Sequence, residues 1–242
     1  MLRYREASVA PGVRRFRALA AHVAGARPCL LVANRGEIAI RICRAAAQLG
    51  FRTVAVYAKD DAECLHTRKA DVSVELDGVG AAAYLDQGAL LAVAEREGCS
   101  MVHCGYGFLS ENKDFAAAVE AAGLTLVGPP AAAIELFGSK TRARELAKSV
   151  GVPLLPGTTA AVNLAEARAF FDSLSGAPMM IKALMGGGGR GMRPVFDSAE
   201  IDQAFERCQS EALAAFGDGS VFVEQLMVRP RHIEVQVNSL SL

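Results

Sequence analysis

Residues Ile181 to Met192 read IKALMGGGGRGM, an apolar run that ends in Lys182 and opens into four consecutive glycines. No other feature restricts the architecture of the chain as strongly. Without Cβ atoms, successive glycines let backbone N–H groups converge on an anion. A lysine closing the preceding strand adds a full positive charge to a phosphate. Glycine-rich sequence also serves as linker, but linkers usually carry Ser and polar flanks. Here the flanks are MMIKAL and MRPVF. The pattern predicts a strand, a phosphate-covering loop and a second short strand near Arg193 to Phe196.

Composition narrows the class. With 242 residues, 52% apolar and 21% charged, the chain suits one large domain or two small ones around a packed core. The formal net charge of zero argues against a protein built to hold nucleic acid, which needs a basic face. No apolar run approaches the length that crosses a bilayer. The six cysteines, Cys29, Cys43, Cys64, Cys99, Cys104 and Cys208, form no CxxC pair and read as reduced, mostly buried thiols. Residues 1–27 differ from the rest: Arg3, Arg5, Arg14, Arg15, Arg17 and Arg27 stand against one acid, Glu6. Such an Arg-rich, acid-poor leader reads as a mitochondrial transit peptide, with an unstructured basic arm as the other reading and a cytoplasmic location following from it.

From Cys29 the hydrophobic period alternates. Cys29 to Asn34 is an apolar run suited to a buried parallel strand, and Glu37 to Leu49 has helical spacing closed by Gly50. Strands are expected at Thr53 to Ala58, Ser73 to Leu76, Met101 to Gly105 and Leu124 to Gly128. Helices are expected at Tyr84 to Glu97 and about Glu111 to Ala122. Alternation of this kind implies right-handed crossovers and a mostly parallel sheet. After Pro129-Pro130, a short helix runs through Phe137 and a second to about Val150, with a domain boundary near Ser139. The second half reads as α+β: a helix over Leu164 to Leu174, strands on either side of the glycine loop, and a helix over Ala199 to Ala215. Strands Val221 to Leu226 and His232 to Val237 complete it, the last alternating apolar and polar residues.

Two familiar phosphate-binding schemes fail. A dinucleotide fold needs GxGxxG after the first strand, and the turn there reads Asn34-Arg35-Gly36-Glu37. A P-loop needs Gly directly before Lys, and Gly138-Ser139-Lys140-Thr141 lacks it. The remaining scheme uses Lys140 and Lys182 on the phosphates beneath a glycine lid. Adenine would lie against Leu226 and Met227 at the end of the strand that carries Glu224 and Gln225.

Four ordered motifs carry a family resemblance: Ala33 to Ala39 (ANRGEIA), Gly105 to Asn112 (GYGFLSEN), Lys182 with Gly186 to Met192, and Pro230 to Val237 (PRHIEVQV). Over about Pro28 to Val237 the chain resembles the N-terminal half of biotin carboxylase, the ATP-grasp component of biotin-dependent acyl-CoA and pyruvate carboxylases. With residues 1–27 set apart as the transit peptide or basic arm, the resemblance implies an α/β N-terminal domain over 28–138 with a mostly parallel, Rossmann-like sheet. It implies a partial α+β ATP-grasp domain over 139–242. It implies a reaction in which ATP and bicarbonate give carboxyphosphate, which carboxylates biotin on a carrier domain, with Mg2+ assisting.

By that similarity Lys140 and Lys182 hold ATP phosphates, and Gly188 and Gly189 contribute lid backbone. Glu224, Gln225, Leu226 and Met227 form the adenine edge, and His232 touches the ribose or phosphates. The helix bearing Arg41 and Arg44 resembles one used in dimer contacts. One departure is Cys104, where the family usually has Pro. The other is Asn238 to Leu242, which stand where the family continues into its magnesium ligands, bicarbonate base and biotin-facing arginines. On this basis no catalytic residue or metal ligand is expected in the chain, and the chain is expected to be inactive alone. A different ATP-grasp ligase is one alternative. A non-catalytic fragment that pairs with a full-length carboxylase is another.

Overall fold

The computed structural model describes residues 27–185 and 190–233. The chain separates into two compact units between Ile134 and Glu135.

The first unit is a parallel sheet with helices on both faces. Its strands are β1 (Cys29–Val32), β2 (Arg52–Ala58), β3 (Val72–Leu76), β4 (Met101–His103) and β5 (Thr125–Leu126), in the order β3-β2-β1-β4-β5. Every pairing is parallel. Alternate residues of β1 serve opposite cores, because successive side chains of a strand point to opposite faces. Leu30 and Val32 pack with Ala39, Ile42 and Cys43 of helix α1 (Gly36–Gln48) and with Phe51. Leu31 packs with Leu90, Val93, Phe115 and Val119 on the other face. These last four come from helices α3 (Gln87–Arg96) and α4 (Lys113–Ala121). Burying such a side chain contributes about 1.5–3 kcal/mol, so this doubly covered sheet carries much of the unit's stability.

The helix expected over Tyr84 to Glu97 begins later, at Gln87, and a separate short helix precedes it. A short α2 (Gly80–Ala83) ends at Tyr84, and α3 starts after Asp86, whose carboxylate accepts the Ala89 N–H at 2.9 Å. Tyr84 is wholly buried at the break, which fixes the chain there more strongly than helical period would. Asn112 caps α4 in the same manner. Arg41 and Arg44 lie exposed on α1. Helix α5 (Ala131–Gly138) spans the junction between the units.

The second unit begins with α6 (Lys140–Ser149), capped by the Ser139 side chain, and continues to α7 (Leu164–Ser173), which carries a complete Asn163/Glu166 capping box. An antiparallel sheet follows, ordered β7-β6-β8, from β6 (Met179–Ala183), β7 (Met192–Val195) and β8 (Val221–Gln225). Helix α8 (Ile201–Phe216) lies over one face with α7, where Ala167, Phe205 and Cys208 meet Met179, Ile181, Val195, Val221 and Val223. A 3-10 turn, Ser198–Glu200, leads into α8. The outer edge of β8 is occupied by residues 156–162, through Gln225 N–H to Pro156 O (2.8 Å), Thr158 N–H to Val223 O and Val162 N–H to Val221 O (both 2.9 Å). The leader, the strand expected over His232 to Val237 beyond its first two residues, and Gly186 to Gly189 lie outside the described residues. No helix among the described residues is long and apolar enough to cross a membrane.

Candidate functional site

Strand alternation separates the two faces of the β7-β6-β8 sheet. Met179, Ile181 and Ala183 are buried toward α8, which sends Met180 and Lys182 to the opposite face. Met180 stands opposite Glu224 and Lys182 opposite Phe222 across the β6–β8 ladder, so Lys182 and Glu224 are diagonal neighbours on that face. Their side chains form an ion pair, Lys182 Nζ with Glu224 Oε1. The other oxygen, Glu224 Oε2, accepts from Arg144 Nη1 at 3.3 Å, and Arg144 Nη2 donates to Leu155 O at 2.7 Å.

One carboxylate thus holds two cations, and the group keeps a net positive charge. All three side chains are at most a quarter exposed, so their Coulombic interactions are less screened than those of a surface pair. Among the described residues, Arg144 Nε is buried without a hydrogen-bond partner. Gly157 makes room for the group: a Cβ there would stand 2.6 Å from Arg144 Nη2 and 2.9 Å from Glu224 Cβ.

Lys140 opens α6 one turn before Arg144. Residues four apart share a helix face, so Lys140 lies on the side of α6 that carries the contact to Glu224. At the end of β8 the N–H groups of Gln225 and Leu226 are occupied, by Pro156 O and Pro178 O (both 2.8 Å). Met227 and Val228 follow with exposed side chains, as does His232. The structure therefore brings Lys182 and Glu224 together, with Lys140 on the adjoining helix face and Gln225 to Met227 at the strand end. Gly188 and Gly189 lie outside the described residues. Sequence reasoning missed Arg144 and Gly157. Arg144 had a readable signal in its i+4 spacing from Lys140, whereas Gly157 had none beyond its type. Among the described residues no three His, Cys, Asp or Glu side chains converge on a possible metal site.

The first unit carries a different kind of site. Its two motif loops follow β1 and β4, the central pair from which the strand order runs outward in both directions. In parallel sheets the crevice at this switch point, beyond the carboxyl ends of the strands, is where ligands bind. Here the loops are laced to each other. Asn34, almost fully buried, donates from Nδ2 to Cys104 O (2.5 Å) and Tyr106 O (2.9 Å), and its Oδ1 accepts the Arg35 N–H at 2.8 Å. Gly105 sits at φ +68°, and a Cβ there would stand 2.9 Å from Asn34 Nδ2 and 3.0 Å from Ile38 Cγ1. Tyr106 donates its hydroxyl proton to Glu37.

Beneath these loops lies a buried polar group. Tyr84 O–H donates to Asp61 Oδ2 at 2.7 Å and accepts the Ala58 N–H at 3.1 Å. Arg35 pairs with Asp61 at 3.2 Å. Burial opposes the charge on Asp61, but the Tyr84 and Cys64 hydrogen bonds and Arg35 prevail and hold its carboxyl below the usual range. Burial lowers both His66 and His103, and His103 Nδ1 accepts the Gly105 N–H at 3.0 Å.

Residues 28–134 match the family described as "Biotin carboxylase, N-terminal domain", and residues 139–239 match "Carbamoyl-phosphate synthase L chain, ATP binding domain". Pyruvate carboxylase of Schizosaccharomyces pombe is 47% identical over 212 residues, 86% of this chain and 18% of the relative. Mitochondrial pyruvate carboxylase of Rattus norvegicus is 47% identical over 211 residues, with the same coverage. Among solved structures, a biotin carboxylase from Campylobacter jejuni in complex with β-γ-ATP matches with a TM-score of 0.81 at 35% identity. It covers 84% of this chain and 46% of that one. The biotin carboxylase domain dimer of Hydrogenobacter thermophilus 2-oxoglutarate carboxylase, in complex with MgADP, ADP and bicarbonate, matches with a TM-score of 0.79. Its identity is 37%, covering 83% of this chain and 44% of that one. The chain thus spans about a fifth of these curated relatives and under half of the solved carboxylase domains.

Proposed function

The chain belongs to the biotin carboxylase family, and on that premise we propose that it supplies the nucleotide-binding part of an ATP-dependent biotin carboxylation. In that reaction ATP and bicarbonate give carboxyphosphate, and the carboxyl group passes to biotin borne on a carrier domain. The observation that carries the reading is the pairing of Lys182 and Arg144 on one carboxylate, Glu224, at the face of the ATP-binding domain's sheet that α8 does not cover. A cluster with net positive charge suits a polyphosphate.

Each residue then has a physical task. Lys182 exchanges Glu224 for a phosphate oxygen when nucleotide enters, and Arg144 keeps Glu224 in place and charged. Lys140 meets the phosphates from the start of α6, and the backbone of Gly188 and Gly189 closes over them. Glu224 to Met227 border the adenine, with the exposed Met227 side chain against its face, and His232 reaches the ribose or phosphates. Magnesium, when bound, neutralises charge between the phosphates. No ligand for it is assigned among the described residues.

The test is nucleotide affinity of the full chain by calorimetry, for wild type, Lys182→Ala and Lys140→Ala. A charge-assisted contact is worth about 1.5–3 kcal/mol, so each substitution is expected to weaken ATP about 10- to 100-fold. ATP affinity unchanged by Lys182→Ala would overturn the assignment. The Arg-rich residues 1–27, together with the mitochondrial rat and human relatives, support a mitochondrial address. Fusing residues 1–27 to a fluorescent protein tests that: import supports it, and diffuse cytoplasmic signal rejects it.

A further inference from the structure

A sulfur pair lies at the opposite edge of the first unit from the motif loops. Cys29 opens β1, and Cys99 precedes β4 by two residues. Their chains are joined there by Ser100 N–H to Cys29 O at 3.0 Å. Both cysteines are nearly buried, and their Sγ atoms are 3.1 Å apart. All six cysteines of the chain are free thiols, and among the described residues this is the one sulfur–sulfur contact.

The pair has a cation of its own. Arg52 stands opposite Cys29 in the β1–β2 register, and its Nη1 donates to Cys29 Sγ at 3.2 Å. Glu97 fixes the aim of that guanidinium by accepting Nη1 at its backbone oxygen (2.8 Å) and Nη2 at its carboxylate (3.0 Å). Cys29 therefore has an arginine N–H aimed at its sulfur, and a neighbouring arginine is a common feature of reactive cysteines. Among the described residues no guanidinium hydrogen-bonds to Cys99, whose thiol is pushed up by burial and by Cys29. The two sulfurs are therefore inequivalent. Cys29 is suited to attack an oxidant and Cys99 to resolve the product.

We propose that Cys29 and Cys99 form an oxidisable dithiol that hydrogen peroxide closes to a disulfide, with Arg52 as the residue that activates Cys29. The Cys29 thiolate attacks one peroxide oxygen, the O–O bond breaks, and the departing hydroxide takes a proton to leave as water. Cys29 is then a sulfenic acid. The Cys99 sulfur attacks Cys29 Sγ, forming S–S and breaking S–O, and the second hydroxide leaves as water with the Cys99 proton. Two thiols are oxidised and one peroxide is reduced to two waters. The product ties β1 to the segment before β4 and closes a long loop of chain. It is remote from Lys182 and the rest of the charged cluster in sequence, and it is independent of the nucleotide reading.

The experiment exposes the full-length chain to hydrogen peroxide, alkylates the remaining thiols and maps digested peptides by mass spectrometry without reductant. The expected result is a Cys29–Cys99 linkage that dithiothreitol reverses. It is accompanied by a rise in Tm of at least about 5 °C, since closing a long loop restricts the unfolded chain. Cys29→Ser and Cys99→Ser abolish both signals, and Arg52→Gln slows closure about tenfold. Recovery of Cys29 and Cys99 in alkylated form, while the more exposed Cys64 oxidises, would overturn the proposal in the wild-type chain itself. Undiminished closure in Arg52→Gln would overturn the activation of Cys29.

Discussion

The two units put their motifs to opposite uses. In the first, the residues that stand out in the sequence are consumed by the fold: Asn34 spends both ends of its amide on the neighbouring loop and on Arg35, and Gly105 exists to let it approach. In the second, the prominent residues are charged, and Lys182 and Arg144 share a single carboxylate. A buried amide with every bond made is a structural joint, because its partners cannot exchange without leaving a polar group unpaired. A lysine held by an ion pair can trade its partner for a phosphate. Sequence prominence is therefore not evidence of chemistry until the side chain's partners are known.

Several substitutions test that division, and hydrogen exchange read peptide by peptide assigns each effect to its unit. The largest stability effect is expected from Asn34→Leu. It leaves the Cys104 and Tyr106 carbonyls without their donor, and should cost about 2–4 kcal/mol in denaturant unfolding. Nucleotide affinity of the second unit should not change. A fall in affinity equal to that of Lys182→Ala would break the comparison.

Gly157→Ala comes next. Its new methyl must displace Arg144 or Glu224, at a cost of about 1–3 kcal/mol. Protection should fall in peptides covering α6 and β8, and ATP should bind more weakly, whereas the first unit keeps its protection. Unaltered exchange around Glu224 would mean that the cluster tolerates the methyl and is looser than described.

Acid should also distinguish the units. His66 and His103 have pKa values lowered by burial, so below about pH 6.5 the unfolded chain takes up protons that the folded one refuses. Their contribution to stability is complete above that pH and is lost progressively as pH falls below it. Asp61, whose carboxyl is held low, contributes above the usual carboxylate range and loses its share only at lower pH, as it protonates. The first unit should thus loosen before the second between pH 7 and 5, and His66→Gln should flatten that slope. Equal acid sensitivity in both units would count against the buried imidazoles as its cause.

The smallest effect is expected from Arg35→Gln, which removes a half-exposed partner of Asp61 and should cost about 1 kcal/mol or less. A larger loss would place Arg35 with Asn34 among the joints.

Much of the fold was legible. The order of strands and helices follows from hydrophobic period, and β2, β3, β6 and β8 lie within a residue or two of the spans expected. The start of the helix expected from Tyr84 was not legible, since Tyr84 is held outside it by its buried hydrogen bond to Asp61 and the helix opens only after its cap, Asp86. Lys182 and Glu224 could be named from sequence, but their contact could not. It depends on the β6–β8 register, which sets two residues 42 apart in the chain on one face. Arg144 is 80 residues from Glu224, and local pattern carries no information on such a pairing.

By itself the sequence determined the alternating first half, the α+β second half, the family and the residue types available to an anion. Those properties depend on local period, on glycine's freedom of backbone and on charge, all of which act within a few residues. Tertiary structure alone decided which charges meet, which motif residues are spent as joints and which two of six cysteines touch. Each of those outcomes requires distant segments to be brought into register, and register is set by the packing of whole strands and helices.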